Sequence, residues 1–264
     1  MDYPGRSIKV GERDATIVRA IKAQLNTALG LAEGHAAWLD PSDGTFGPRT
    51  RQAVRLFQAR HVDADGRPLR QDGEIGPVTW TRLFGSAAVP DRDQSTSAWL
   101  ARVVSIAAGE VARGVREVPV NSNRGPDVEA YLRSTGTPPG SSWCAAFVYW
   151  CAQQAATQLG RANPVVRTAG CLDHWRRAPG AGARRITRTE LGGDLARLRP
   201  GMFFIMDHGR GLGHTGILER IEGGKLVTLE GNTDASRTRE GGGAYRLTRT
   251  LNEINKGFID YGDV

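Results

Sequence analysis

The sequence predicts an α+β fold in two parts: a small N-terminal domain of three helices and a larger domain in which helices precede strands. Two copies of a turn motif, each followed by apolar residues at helical spacing, indicate the first domain, residues 1–86. A small and polar stretch, 87–98, is predicted to be a linker. In residues 99–264, helical periodicity gives way to short apolar runs, which favours an antiparallel sheet.

The turn motif shows why helices are expected at the N-terminus. Residues Asp43–Thr50 recur as Asp72–Thr79 in the shared pattern Asp-Gly-x-apolar-Gly-Pro-x-Thr. Asp-Gly predicts a turn with a positive-φ residue, and the threonine is expected to cap the helix that follows. Together with an upstream helical repeat, the two copies predict three helices that end near Gly85. The apolar residues at helical spacing are Ile17, Ile21, Leu25, Leu29, Ala53, Val54, Phe57, Trp80, Leu83 and Phe84.

The stretch from about residue 15 to residue 85 resembles the three-helix peptidoglycan-binding domain found on many wall hydrolases. The resemblance rests on the repeated motif and implies that bacterial peptidoglycan is a binding partner. The alternative is that both motifs are structural turns of a helical bundle with another role.

The larger domain is predicted to begin with helices and to end with strands. Apolar spacing predicts helices over 99–114, 128–134 and 143–159, and strands over 202–206, 215–221, 225–230 and 257–261. Residues 160–200 are rich in Arg, Gly and Pro and are poorly periodic, so no regular element is predicted there.

Composition excludes several classes of protein. The chain has 264 residues, of which 39% are hydrophobic and 24% charged, as in ordinary globular proteins. No apolar run approaches the roughly 20 residues of a membrane span. The net charge of +7 favours anionic partners, but no nucleic-acid-binding pattern is present, so we expect no nucleic acid partner.

Cys144 is the strongest candidate nucleophile among the three cysteines. It stands at the start of the most apolar predicted helix, just after Ser141 and Ser142, either of which is expected to cap that helix. The partial positive charge of a helix N-terminus stabilises a thiolate, the reactive form of cysteine. Cys151 is interpreted as a core residue, and the role of Cys171 stays open.

His214 is the best candidate partner for that cysteine among five histidines. It lies at the start of a predicted strand between Gly213 and Gly216, which allow a close approach to its ring. An adjacent antiparallel strand would end with Glu230 and Asn232, and residues two apart point to the same face. Either side chain is therefore a candidate for orienting the imidazole.

Three blocks, Trp143–Val148, Gly213–Ile217 and Glu230–Thr233, resemble successive blocks of a CHAP domain, which is related to the NlpC/P60 group. The resemblance covers about residues 100–261. It implies a papain-like fold, with the nucleophile at the start of a helix packed on an antiparallel sheet. It also implies hydrolysis of amide bonds in peptidoglycan, with these roles: Cys144 as nucleophile, His214 as general base and then acid, Glu230 as the orienting group and Asn232 as a second polar partner.

No metal and no cofactor is expected. Some CHAP domains have an Asp-rich calcium loop before the cysteine, but residues 121–142 contain only two acidic residues, Asp127 and Glu129. Neither a HExxH motif nor a paired-cysteine zinc pattern is present.

The expected function is therefore peptidoglycan hydrolysis, by an N-acetylmuramoyl-L-alanine amidase or a peptide-stem endopeptidase. The first residues lack the apolar core of a signal peptide. We therefore expect synthesis in the cytoplasm and action at the wall or periplasm, as a phage lysin or as an exported antibacterial effector with an immunity protein. The alternative is a catalytically inactive peptidoglycan-binding protein. If Glu230 orients His214, Glu230→Gln is expected to preserve the fold and to lower kcat at least roughly tenfold.

Overall fold

A computed structural model describes residues 1–85, 88–89, 95, 97–237, 241–262 and 264. The chain divides into two compact units. Unit 1 comprises residues 1–91 and 192–195, and unit 2 comprises residues 92–191 and 196–264. Most of the predicted linker, 87–98, lies outside the described residues. The predicted α+β class is confirmed, because helices come first and an antiparallel sheet follows.

Unit 1 contains three α-helices within its described residues: α1 (Ala15–Leu29), α2 (Pro48–Arg60) and α3 (Pro77–Phe84). Most of the apolar positions predicted from helical spacing are buried in its core, whereas Leu29 and Phe84 are only partly buried. Those that are almost completely buried include Ile21, Leu25, Val54, Phe57 and Trp80.

Equivalent hydrogen bonds hold both copies of the turn motif. Asp43 and Asp72 each accept a hydrogen bond of 2.9 Å from the backbone N–H two residues further on. A polar side chain from the preceding helix reaches each carboxylate: Lys22 Nζ lies 2.6 Å from Asp43 Oδ2, and Gln58 Nε2 lies 3.0 Å from Asp72 Oδ1. The repeat in sequence is thus also a repeat in structure.

Two details of the motif differ from the prediction. Thr50 and Thr79 do not cap their helices; each helix begins at the motif's proline, whose fixed φ suits the first helical position, and the threonine is buried in the first turn. Gly73 has the predicted positive φ, +74°, but Gly44 does not. Gly44 serves close packing instead, because a Cβ there would lie 2.4 Å from the Cβ of Ala15.

Unit 2 combines helices with one antiparallel sheet. Its described helices are α4 (Ala98–Ala112), α5 (Pro126–Thr135), α6 (Cys144–Gln158), α7 (Cys171–Arg177) and α8 (Arg188–Leu191). The described strands are β1 (Arg184–Thr187), β2 (Phe203–Gly209), β3 (Leu212–Glu222), β4 (Lys225–Thr233), β5 (Gly243–Arg249) and β6 (Gly257–Asp260). The sheet order is β1-β6-β2-β3-β4-β5.

The predicted helices of this unit are confirmed as α4, α5 and α6, and the four predicted strands as β2, β3, β4 and β6. Several elements were not predicted. Helices α7 and α8 and strand β1 lie in the Arg-rich region, and β5 follows a glycine run that gave no strand signal. Two of these unpredicted elements, α7 and β5, contribute side chains to the candidate active site.

Helix α6 packs against α4, α5 and the sheet strands β3 and β4. Small side chains let it approach closely; its buried alanines are Ala145, Ala146, Ala152, Ala155 and Ala156. Gly231 of β4 lies directly against the start of the helix. A Cβ at that position would lie 2.6 Å from Trp143 Cζ3 and 2.8 Å from Phe147 Cβ. The glycine therefore fixes how closely β4 approaches the residues around Cys144.

We expect Gly231→Ala to lower the free energy of unfolding by about 1–3 kcal/mol, the usual cost of overpacking a core. Denaturant unfolding of the full chain measures this change. Gly109→Ala is the matched control, because Gly109 lies in α4 and a Cβ there meets no atom within 4 Å. That control should gain about 0.5–1 kcal/mol from its higher helix propensity. Equal effects of the two substitutions would contradict the packing role of Gly231.

Candidate active site

Cys144 is the first residue of α6 and is 3% exposed. The N-cap residue is Trp143, and no side chain caps the helix, so the predicted capping by Ser141 or Ser142 is wrong. The first backbone N–H groups of a helix have no acceptor within it and give its N-terminus a partial positive charge. The predicted electropositive setting of the Cys144 sulfur is therefore present without a side-chain cap.

The residue before Cys144 is held by a buried carboxylate. Trp143 Nε1 donates a 2.8 Å hydrogen bond to Glu117 Oε1, and Glu117 Oε2 accepts a 2.9 Å hydrogen bond from the backbone N–H of Asn123. Trp143 is fully buried and Glu117 is nearly so. The sequence did not identify Glu117, because no local pattern links a carboxylate to an indole 26 positions away.

His214 and Glu230 meet across the adjacent strands β3 and β4. His214 Nε2 lies 2.7 Å from Glu230 Oε2, and both side chains are buried. Gly216 leaves room for this contact, since a Cβ there would lie 2.7 Å from Glu230 Cγ. Asn232 lies at a break in the pairing of β4 with β5 and has a φ of +60°. Of the two side chains predicted to stand behind His214, the structure brings Glu230 to the ring and gives no hydrogen bond from the ring to Asn232.

Glu230 is also one half of a buried ion pair. Arg249 Nε lies 2.6 Å from Glu230 Oε1, and Arg249 Nη2 lies 2.6 Å from Oε2. Thr228 Oγ1 donates a further hydrogen bond of 2.5 Å to Oε1. The sequence did not identify Arg249, because the strand that contains it, β5, was not predicted.

Cys171 lies next to Cys144, which the sequence did not indicate. The two Sγ atoms are 3.3 Å apart, and neither cysteine is in a disulfide. Cys151 of α6, in contrast, is buried in the hydrophobic core of unit 2, as interpreted from the sequence. Burial raises its pKa well above the usual range. Helix α7, which begins at Cys171, thus brings a second sulfur to the candidate site.

Comparison with known protein families identifies both parts of the chain. Residues 136–232 match the family model of the CHAP domain, and residues 14–83 match a putative peptidoglycan binding domain. The chain contains a peptidoglycan-binding domain followed in sequence by a CHAP domain. Neither the curated proteins nor the solved structures gave a match. This pair of domains supports a peptidoglycan hydrolase with peptidoglycan as a partner, and the CHAP match includes Cys144, His214, Glu230 and Asn232.

The electrostatics of the CHAP domain favour charged forms of three of these side chains. The hydrogen bond with Cys171 is the main cause of a Cys144 pKa well below the usual range; burial opposes the shift and His214 adds to it. Burial alone would lower the pKa of His214, but Cys144 and Glu230 raise it to about 9. Burial alone would raise the pKa of Glu230, but Arg249 and His214 lower it to about 2. All three shifts favour the charged form of the side chain: a thiolate at Cys144, an imidazolium at His214 and a carboxylate at Glu230.

The other histidines lie elsewhere. His174 of α7 is buried, its Nε2 lies 3.0 Å from the hydroxyl of Tyr261, and burial lowers its pKa to about 4. It is therefore neutral at physiological pH and packs in the core. His208 is exposed near the end of β2, and His35 and His61 belong to unit 1.

Two features are absent from the part of the chain that the structure describes. No group of three or more His, Cys, Asp or Glu side chains there is arranged to hold a metal ion. Nor does any helix there combine the length and the apolar character needed to cross a membrane.

The ion pair changes what is expected of Glu230→Gln. The sequence suggested that this variant keeps its fold, but it would take from the buried Arg249 its closest counter-charge and leave it only Glu253, whose Oε1 lies 3.6 Å from Nη1. We expect the free energy of unfolding to fall by about 3 kcal/mol at pH 7, as when one partner of a buried pair is removed. The pKa of Glu230 is lowered to about 2 in the folded protein from an ordinary value of 4.5. The carboxylate therefore contributes its full stabilisation at pH values above 4.5, and this contribution is lost as the pH falls toward 2. Wild type and variant should therefore converge in stability at acid pH.

The double variant Glu230→Gln/Arg249→Met separates stability from activity. It removes both charges, so we expect much of the stability to return while the activity stays low, because His214 still lacks its carboxylate partner. Denaturant unfolding and hydrolysis are measured on the same preparations. If Glu230→Gln is as stable as the wild type at pH 7, the ion pair does not contribute as argued.

Proposed function

We propose that the protein is a cysteine-dependent amidase or endopeptidase that cleaves amide bonds in the peptide part of peptidoglycan. Cys144 is the nucleophile, His214 the acid–base group and Glu230 the orienting group. One observation supports this most strongly: Cys144 begins α6 beside an imidazole whose Nε2 is bound by a buried carboxylate at 2.7 Å. This is the arrangement that nucleophilic catalysis by a thiolate requires.

The first half of the reaction forms a thioester. Glu230 occupies His214 Nε2, and Nδ1 has no hydrogen-bond partner of ordinary geometry among the described residues, so Nδ1 is the nitrogen available to the reacting groups. The Cys144 thiolate attacks the amide carbonyl carbon and forms a C–S bond and an oxyanion. As the C–N bond breaks, Nδ1–H gives its proton to the leaving nitrogen. An amine departs, and the acyl group stays on Cys144.

The second half releases the acid. His214, now neutral, accepts a proton from water at Nδ1 while the water oxygen attacks the thioester carbonyl. The C–S bond breaks, and a carboxylic acid leaves beside a restored thiolate and imidazolium. The backbone N–H of Cys144 has no acceptor within α6, because Cys144 is its first residue, and is placed to stabilise the oxyanion. No step uses Asn232.

Incubation of the purified chain with bacterial sacculi tests the proposal. An amidase releases intact stem peptides with a new amino group at their first residue, whereas an endopeptidase leaves shortened stems on the glycan; mass spectrometry distinguishes these products. We expect Cys144→Ala to abolish hydrolysis and to retain binding to sacculi. His214→Ala should lose at least about a hundredfold in rate.

The matched control for Cys144→Ala is Cys151→Ala, a second cysteine of α6 that lies in the core and should leave turnover unchanged. Full hydrolysis by Cys144→Ala would overturn the assignment of the nucleophile. If the wild-type chain binds sacculi but releases no product, the alternative of an inactive peptidoglycan-binding protein is correct.

We also propose that the protein meets its substrate at the wall or in the periplasm, as a phage lysin or an exported antibacterial effector. The support is that its binding partner, peptidoglycan, lies outside the cytoplasmic membrane. Expression of the full chain with an added secretion signal should lyse a susceptible host, whereas cytoplasmic expression and exported Cys144→Ala should not. Protection by a co-expressed product of a neighbouring gene would identify an effector with its immunity protein. Lysis by the cytoplasmic form alone would contradict action from outside the membrane.

A further inference from the structure

The contact between Cys171 and Cys144 has no role in the mechanism derived above. Their Sγ atoms lie 3.3 Å apart within hydrogen-bond geometry, and Cys171 and Cys144 are 7% and 3% exposed. A thiolate buried from water needs donors from the protein, and a protonated thiol is such a donor, although a weak one. If Cys144 is ionised, Cys171 must supply the proton of this hydrogen bond.

The position of Cys171 is fixed by close packing against the strand that contains His214. Gly213 of β3 faces α7, and a Cβ on Gly213 would lie 3.3 Å from the Cβ of Cys171 and 3.4 Å from Leu172 Cδ2. The absence of a side chain at Gly213 therefore lets α7 place its thiol directly beside the candidate acid–base group and nucleophile.

The titratable and charged groups around Cys144 come from four other elements. Cys171 approaches from α7 and His214 from β3; behind His214 lie Glu230 from β4 and Arg249 from β5. Within α6, the backbone N–H of Ala145 supports the thiolate. Among these groups, Cys171 and His214 are the titratable side chains that interact directly with the Cys144 sulfur.

We propose that Cys171 is a positioning residue for the nucleophile: its S–H donates a hydrogen bond to the Cys144 thiolate and holds that sulfur, charged, beside His214 before substrate binds. The inference rests on the proposed function, in which Cys144 is the nucleophile. The direction of the Cys144 pKa agrees with it, because the contact with Cys171 is the main cause that lowers it.

A donor of this kind has opposite effects at low and at high pH. It increases the fraction of thiolate at low pH, but a thiolate of lower pKa is intrinsically a weaker nucleophile. Loss of the donor should therefore slow Cys144 at low pH and leave it as fast or faster once it is fully ionised. A residue that only fills space would not produce this reversal.

The test is the rate of alkylation of Cys144 by iodoacetamide from pH 4 to pH 10, read by mass spectrometry of the peptide that contains it. The variants are Cys171→Ala and Cys171→Ser, with Cys151→Ala as the matched control. The full chain is reduced beforehand and kept under argon, because two sulfurs this close can be oxidised to a disulfide.

We expect the midpoint of the pH profile to rise by about one unit in Cys171→Ala, which corresponds to alkylation about tenfold slower below the midpoint. The plateau at high pH should be equal to or above that of the wild type. Cys171→Ser, which keeps a donor, should recover part of the shift, and Cys151→Ala should show none. The acid limb of kcat/KM for hydrolysis should move by the same amount as the alkylation midpoint.

An unshifted midpoint in Cys171→Ala overturns the inference. So does a rate lowered by the same factor at every pH and not restored by serine, since that result indicates a structural role. Alkylation reports on the thiol without requiring turnover, so these outcomes leave the proposed function intact. Hydrolysis by Cys144→Ala, in contrast, would overturn the proposed function and the positioning role with it.

Discussion

The buried carboxylate of Glu230 is the group around which the CHAP domain is arranged. An ionised carboxylate without water costs several kcal/mol unless ion pairs and hydrogen bonds compensate for it. Glu230 is fully buried, and its oxygens are bound by Arg249, Thr228 and His214. Since His214, Glu230 and Arg249 belong to the neighbouring strands β3, β4 and β5, the order of these strands in the sheet is what allows the carboxylate to stay charged.

Arg249, Glu230, His214 and Cys144 form a series of interacting side chains through the site. The guanidinium of Arg249 faces the carboxylate of Glu230, which faces the ring of His214, and that ring interacts with the sulfur of Cys144. Each group shifts the pKa of the next toward its charged form, against the effect of burial. The stability of this domain is therefore coupled to the charges of the site, because a substitution that neutralises one member removes a charged partner from its buried neighbour.

The sequence was sufficient for the parts that depend on local pattern. Helical spacing and the repeated turn predicted the helices of unit 1. In unit 2, the apolar helix that begins at Cys144 and the runs that contain His214 and Glu230 predicted an antiparallel arrangement. Local pattern was not sufficient for Asn232. Because it lies two residues after Glu230, it should point to the same face of a regular strand. A positive φ and a break in strand pairing instead place it outside regular strand geometry.

Three residues that the sequence did not reveal act through long-range contacts. Glu117 contacts Trp143, Arg249 contacts Glu230, and Cys171 contacts Cys144, which lies 27 positions earlier in the sequence. Propensity and periodicity describe neighbours along the chain, so a contact between elements whose existence was not predicted leaves no such signal. The predicted threonine caps of α2 and α3 were wrong for a different reason. A proline at the first helical position already defines the start of each helix, so the threonine lies inside the first turn and is buried.

The glycines near His214 and Glu230 are explained by close packing around the candidate site. Gly213 admits Cys171, Gly216 admits Glu230, and Gly231 admits the side chains of Trp143 and Phe147; an added Cβ would lie within 3.3 Å of an atom of each of these partners. None of the three has a positive φ, so flexibility or turn formation does not explain them. What they share is the space left by a missing side chain. That space allows a thiol, a carboxylate and the start of α6 to converge on one imidazole and one sulfur.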